Sequence, residues 1–311
     1  MLLVTGASGN VGSAAVALLA SRLGAGAVAG LARDPARAAA RVPFGVQLGR
    51  ADYTDRASLD EAFAGVSALL FVASDGDARD VMKQHANVID AIAASAIERV
   101  VFASIVDVEE HSPFYFAPVY RDAEQRLRAC GKPWTIVRCG MYSDFLFSQW
   151  LEQACDTGIV DVPAGRAHIA PISRDDVATA AALALESGAH EGQVLELGGA
   201  KAYTFDEIAE LASMAFGRSI AYRPVSATDY LARCWATMED PWPHAFASLF
   251  ASVSQGRFAV TSAGFEQIAG RRPEELKAFL ERHAGGFARG SAWQPRFHRD
   301  QETAGDHERT R

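Results

Sequence analysis

The sequence predicts an α/β chain on a doubly wound parallel sheet, and three observations predict it. Short apolar runs alternate with helical patterns through the first 140 residues, as β-α-β units around a parallel sheet do. A loop with glycine at every third position follows the first of those runs. The composition, 49% hydrophobic and 22% charged over 311 residues, suits one large α/β unit or a main domain with a smaller companion.

Taken in order, residues 1–5 read as a strand, 11–23 as a helix, 27–31 and 46–49 as strands two and three. Residues 58–63 read as a helix behind the cap Asp55, and Ala68–Val72 as strand four. A helix over 82–95, strand five at 99–103, a helix over 120–129 and, after Gly131, strand six at 134–138 complete the set. Six strands with intervening helices are the content of a dinucleotide-binding sheet.

Beyond residue 141 the pattern changes. Residues 142–165 mix aromatics with turn formers. Ser173 is placed to cap a helix over 174–186, with Asp175 and Asp176 in its first turn, where the helix dipole favours acids. Val194–Leu197 is a further strand, and Thr204-Phe-Asp-Glu has the capping-box pattern. The expected division is a dinucleotide-binding domain from 1–140 and 166–190, and a small discontinuous substrate-binding domain from 141–165 and 191–284. The polar segment 285–311 is expected to be a disordered tail.

A net charge of -8 argues against a nucleic-acid partner and against an anionic membrane surface. No apolar run approaches the roughly 20 residues that span a bilayer, and no signal segment opens the chain. Cys130, Cys139, Cys155 and Cys234 lack metal-ligand or disulfide spacing. The expectation is a cytoplasmic protein without a metal, with a homodimer as the open assembly.

The loop Gly6-Ala7-Ser8-Gly9-Asn10-Val11-Gly12 leaves strand one and opens a helix. It must turn sharply, let a pyrophosphate approach its backbone and pack helix on strand closely, requirements that glycine meets best; a positive φ is expected at Gly9. A phosphate group would then meet unpaired N–H groups at the positive end of a helix dipole. This is a Rossmann phosphate site. Where NAD-specific folds place an acid on the ribose, this chain has Arg33, whose guanidinium fork matches a 2′-phosphate. NADP(H) is therefore the expected cofactor and NAD(H) the alternative. Asp34 either neutralises Arg33 or starts the turn before Pro35, and Arg33 capping a strand end in solvent is the competing reading.

The segments Thr5-Gly-Ala-Ser-Gly-Asn-Val-Gly12, Leu31-Ala-Arg-Asp-Pro-Ala36, Gly49-Arg-Ala-Asp-Tyr-Thr-Asp55 and Gln84-His-Ala-Asn-Val-Ile89 resemble the NmrA-like branch of the atypical short-chain dehydrogenases. Within it, Trp134-Thr-Ile-Val-Arg-Cys-Gly-Met-Tyr142 and His190-Glu-Gly-Gln-Val-Leu-Glu-Leu197 are similar to the type-2 NAD(P)H:quinone oxidoreductases. The resemblance runs from residue 1 to about 280. It implies cofactor contacts along Gly6–Val11, at Arg33, at Ala73, Ser74 and Asp75, and at Cys139, Gly140, Met141, Tyr142, Ser143 and Asp144, with Asp52 near the adenine.

Ordinary short-chain dehydrogenases place a tyrosine four residues before a lysine that lowers its pKa. That pair is missing: Tyr115 is followed by Val119 and Tyr120 by Glu124. Ser104, after strand five, stands where the serine of that set would be. The loss tells against alcohol dehydrogenation. It suits hydride delivery to an acceptor that stabilises negative charge by itself, such as a quinone, a conjugated iminium or a dye cation. Tyr120 and Tyr142 are candidate substrate contacts, and an amphipathic aromatic at a domain edge is the competing reading of each, evenly balanced for Tyr120. Phe145, Phe147, Trp150, Trp235, Met238, Trp242, His244, Phe246 and Phe250 either wall a flat aromatic substrate or form the core of the small domain. The expected function is an NADPH-dependent reductase of a quinone-like or other conjugated aromatic acceptor. The rivals are a redox sensor that binds the dinucleotide and reports to a protein partner, and a biosynthetic imine or enone reductase.

Overall fold

The apolar run Leu2–Thr5 forms β1 and is buried at every position, as a strand covered by helices on both faces must be. A computed structural model, which describes residues 1–261 and 263–287, sets β1 third in a seven-stranded sheet. Its partners are β2 (Val28–Ala32), β3 (Gln47–Arg50), β4 (Ala68–Val72), β5 (Arg99–Ile105), β6 (Trp134–Cys139) and, counting two short strands between, β9 (Val194–Leu197). The order is β3-β2-β1-β4-β5-β6-β9, parallel throughout. The order reverses between β1 and β4, so a crevice opens there at the carboxyl ends of the strands.

Helices cover both faces. On one, α1 (Asn10–Leu23), α8 (Arg174–Ser187) and Phe265 of α12 (Ala263–Ala269) pack on Val4, Leu70 and Val137. On the other, α3 (Arg56–Ala62), α4 (Ala78–Ala94) and α5 (Ala117–Ala129) pack on Leu3, Phe71 and Phe102. A third core joins α6 (Ser143–Leu146), α7 (Glu152–Thr157), α9 (Phe205–Phe216), α10 (Ala227–Thr237), α11 (Trp242–Ser254) and α13 (Leu276–Phe287). Two two-stranded sheets accompany it, β7 (Ile159–Val160) with β11 (Ala221–Tyr222) and β8 (His168–Ile169) with β10 (Tyr203–Thr204).

The capping signals act as the sequence predicts. Asp55 accepts from the N–H groups of Ala57 and Ser58, Ser173 from that of Asp176, and Thr204 and Glu207 form a reciprocal capping box. Four expectations are corrected. The segment Val194–Leu197, assigned by sequence to the small domain, pairs with β6 in the main sheet, because its Leu195 and Leu197 supply the buried face that a sheet edge needs. The aperiodic stretch after residue 142 is helical, its period broken by a π turn at Phe147–Leu151. Pro35–Ala39 forms a short helix, α2, rather than a simple turn. The expected tail, 285–311, is helical over its first three residues, since α13 runs to Phe287; residues 288–311 lie outside the described residues. Among the described residues no helix is long and apolar enough to cross a membrane.

Candidate functional site

At the β1 end of the crevice the geometry is set by glycine. Gly6 has φ of +65°, an αL conformation costly for a side chain. A Cβ on Gly12 would lie 2.6 Å from the carbonyl carbon of Gly6, so α1 could not approach β1 as it does. The positive φ expected at Gly9 falls on Gly6 instead; Gly9 is extended, with φ of −88° and ψ of 172°, and serves as N-cap without a capping side chain. Its own N–H donates to Gly6 O at 2.8 Å, and that of Ala7 to Leu31 O at 3.0 Å. The N–H groups at the start of α1, from Asn10, Val11 and Gly12, belong to a first turn that has no intrahelical acceptors. With Ser8 beside them, this cradle can hold a pyrophosphate.

Arg33 follows β2 and is exposed. Asp34 does not claim it: the Asp34 carboxylate accepts the N–H of Arg37 at 3.2 Å and caps α2. Two further cations stand close. Arg41 reaches back to the side-chain oxygen of Asn10, and the charges of Arg33 and Arg50 both act on Asp52. The Asp52 carboxyl is held below its ordinary value, chiefly by the Thr54 N–H and hydroxyl that it accepts, each at 2.8 Å. An arginine-rich rim of this kind suits a phosphate better than an uncharged ribose.

The β4 end is held by side chains that the sequence did not single out for it. Thr5 exchanges hydrogen bonds with Val72, accepting its N–H at 2.9 Å, and the Tyr53 hydroxyl donates to Val72 O at 2.8 Å. Residues 73–77 then cross the crevice to α4. There the Ser74 hydroxyl is buried without a hydrogen-bond partner among the described residues, a costly arrangement unless a ligand completes it. This hydroxyl lies two residues past the Thr5–Val72 pairing, just beyond β4, the strand next to β1 and the uncapped start of α1, and together they fit a dinucleotide site.

At the β5 and β6 end, charge is turned inward. Glu124, 1% exposed, occupies the position where dehydrogenases carry the lysine. It is gripped by Arg138 from β6 through two bonds of 2.9 and 2.8 Å, by Arg128 at 2.9 Å, and by the Ser104 hydroxyl at 2.7 Å. Burial pushes its pKa up, but the bonds from Arg138 and Ser104 outweigh that and hold it below the ordinary value. Ser104, a candidate substrate contact by sequence, thus has its hydroxyl committed to Glu124.

Tyr120, on α5, packs against the core of Leu3, Phe71 and Phe102, its ring stacked on Phe102 at 6.2 Å and edge-on to His85 at 5.5 Å. Burial raises its pKa, and the nearby Cys139 and Asp75 add to the shift. Tyr142, the N-cap of α6, has the Arg174 guanidinium 5.2 Å above its ring. Its pKa is also raised by burial. Burial likewise pushes the Cys139 thiol up to about 12, which makes it a packing group and no nucleophile. Gly140 donates to Leu197 O and Ser143 to Ile172 O, while the Asp144 carboxylate accepts the N–H of Arg174 at 2.9 Å and so starts α8. Met141 is buried in the third core.

The aromatic set divides. Trp150, Met238, Phe246 and Phe250 are buried in the third core, with Phe145, Phe147 and Trp242 packed against it. That part is core. Trp235 and His244 stand at the surface with their rings 5.2 Å apart.

The comparisons with known proteins agree with this geometry. The NAD(P)H-binding family matches residues 6–187. Quinone oxidoreductase 2 of Escherichia coli is 31% identical over 75% of this chain and 80% of its own length. The NADPH complex of that enzyme superposes with a TM-score of 0.83 at 28% identity, covering 91% of this chain and 99% of the other. A (4-alkanoyl-5-oxo-2,5-dihydrofuran-3-yl)methyl phosphate reductase of Streptomyces griseus is 31% identical over 93% of this chain and 99% of its own. The Citrobacter sp. triphenylmethane reductase complexed with NADP(H) superposes with a TM-score of 0.83 at 27% identity, over 91% and 99% of the two chains. The chain belongs to the NAD(P)H-binding family, in the NmrA-like branch that holds the type-2 quinone oxidoreductases.

Proposed function

We propose that this NAD(P)H-dependent oxidoreductase transfers a hydride from NADPH to a quinone-like or other conjugated aromatic acceptor. NADP(H) is the preferred cofactor, as it is in the quinone reductase complex. In this reading Gly6, Ala7, Ser8, Gly9, Asn10, Val11 and Gly12 hold the pyrophosphate, Arg33 takes the 2′-phosphate, Asp52 borders the adenine, and Ala73, Ser74 and Asp75 with the segment 139–144 enclose the nicotinamide. The small domain, 141–165 with the chain after β9, supplies the acceptor side.

One observation carries the proposal: Glu124 stands at the lysine position and is consumed by Arg138, Arg128 and Ser104. No cation is left to lower the pKa of Tyr120 for proton donation to an alkoxide. Bound NADPH supplies two electrons and a proton as hydride; Tyr120, Tyr142 and residues 73–75 orient the acceptor and keep water out. An acceptor whose conjugation takes up the charge needs nothing more from the protein. A second reading, reduction of a conjugated C=C bond, is supported by the dihydrofuran reductase matched over 93% of the chain.

The test is NADPH oxidation against a panel of quinones, triarylmethane dyes and enones, with cofactor binding measured in parallel. Turnover with quinones or dyes is expected. Tight binding with no turnover on the panel would put a redox-sensing role ahead of catalysis.

A further inference from the structure

Residues 106–116, between β5 and α5, are tied to the third core at four points. Asp107 adopts φ of 62° and is buried; its carboxylate accepts the hydroxyls of Ser112, at 2.7 Å, and of Ser252 on α11, and pairs with Arg257 at 3.0 Å. The Phe114 ring meets Phe258 edge-on at 5.7 Å, and Phe116 meets Trp242 at 6.2 Å. Between these two rings, the Tyr115 N–H donates to Ser248 Oγ on α11 at 2.9 Å. Ser248 is itself fixed, its hydroxyl donating to Ala245 O at 2.9 Å.

The Tyr115 side chain points the other way. Its hydroxyl oxygen accepts the N–H of Ala78 at 3.2 Å. Ala78 is the first residue of α4 and ends the 73–77 crossing that holds the orphaned Ser74. Its N–H belongs to the first helical turn and has no intrahelical acceptor; the Asp77 carboxylate is occupied with the N–H of Arg79. Tyr115 therefore joins the cofactor side of the crevice to α11 through one residue, its backbone on one wall and its phenol on the other. Water could satisfy Ala78 equally well, but only the rigid ring fixes a distance.

We infer that Tyr115 is a positioning residue, which sets the gap between the 73–77 segment and α11 and so places the acceptor against the nicotinamide. The inference rests on the proposed function for what occupies the gap. It does not rest on it for the tether.

The test uses Tyr115→Phe, Ser248→Ala and the double variant in the full chain. In the cofactor-free protein, amide hydrogen exchange at 73–80 should rise by about tenfold in each single variant, with protection of β1 and β4 unchanged. On a reducible acceptor, KM should rise about fivefold with kcat within about twofold, a loss of placement rather than of chemistry. Because either substitution cuts the same bridge, the double variant should be no worse than the more severe single one. Unchanged exchange at 73–80 overturns the tether. Raised exchange with unchanged KM, or additive losses in the double variant, overturns the positioning role. If the wild-type protein reduces no acceptor, the functional reading fails on its own and the exchange result still decides the tether.

Discussion

The crevice has two ends built by opposite means. At β1 the ligand-facing groups are backbone N–H groups, made accessible by glycines and left uncapped at Gly9. At β5 and β6 the charged side chains face one another: Arg138 and Arg128 close over the buried Glu124, whose carboxylate is fully engaged. In the proposed reading the first end binds through an arrangement that almost any substitution spoils. The second has exchanged acid–base chemistry for packing, so its selectivity lies in shape. The same helix position that serves proton transfer in a dehydrogenase here holds the sheet to α5.

The sharpest way to break that contrast is at the glycine end. Gly12→Ala puts a Cβ against the Gly6 carbonyl, where only backbone can yield; NADPH binding measured by calorimetry should fall by about 100-fold or more, the scale of a displaced helix N-terminus and a lost charge-assisted contact set. Gly9→Ala should be milder, since its φ is ordinary and its Cβ would stand 3.2 Å from Gly6 O. Equal, small losses would show that close packing of α1 is not what the loop needs.

At the other end, Glu124→Ala leaves Arg138 partly buried with only its longer contacts to Glu196 at 3.8 Å and Glu109 at 4.0 Å. Urea unfolding should show a loss of about 1.5–3 kcal/mol, the scale of a hydrogen bond to a charged group, with cofactor affinity nearly unchanged in whatever remains folded. The pair also acts in acid. Its pKa is lowered in the native state, so its stabilisation is complete above the ordinary carboxylate range and is lost as pH falls through the native value.

Much of the first end and little of the second was legible in sequence, for a physical reason. Glycine spacing and the caps Asp55, Ser173 and Thr204 are local: the residues that make the structure are neighbours in the chain. The start of α4 was placed four residues late, because its apolar period begins at Val81 while its cap is Asp77. The Glu124–Arg138 pair spans 14 residues and two elements; the missing lysine signalled lost chemistry, but only the parallel register of β5 with β6, Ser104 beside Arg138, brings the cluster together. Val194–Leu197 looked like small-domain material because nothing in four residues tells which sheet edge will take them. His85 appeared only as part of a family motif, and Tyr115 only as a failed catalytic pair.

His85 offers a third, intermediate effect. It is fully buried among Phe71, Phe102 and Tyr120, with neither ring nitrogen hydrogen-bonded among the described residues. Burial lowers its pKa from 6.5 to about 4, weakly opposed by Asp122. The unfolded chain therefore binds more protons between these values, and stability should decline as pH falls from 6.5 to 4 and level off below, by roughly 3 kcal/mol. His85→Leu should flatten that window and leave the Glu124 loss at lower pH. A slope between pH 4 and 6.5 that survives the substitution would assign it elsewhere.

Cofactor choice is a smaller effect. Arg33→Ala should weaken NADPH by roughly 1.5–3 kcal/mol and spare NADH. If both cofactors weaken alike, Arg33 is only a strand-end residue and the 2′-phosphate belongs to Arg41 or Arg50.

Whether hydride passes from NADPH to the acceptor without a tuned protein acid, as proposed, is tested most directly by Tyr120→Phe. The Tyr120 hydroxyl has a raised pKa and Glu124 four residues on. Steady-state constants on the best acceptor of the panel should show KM raised a few-fold and kcat within about twofold, with the pH profile retained. A fall in kcat of about 10² at unchanged KM, with a flattened pH profile, is the signature of a lost general acid and would contradict the account.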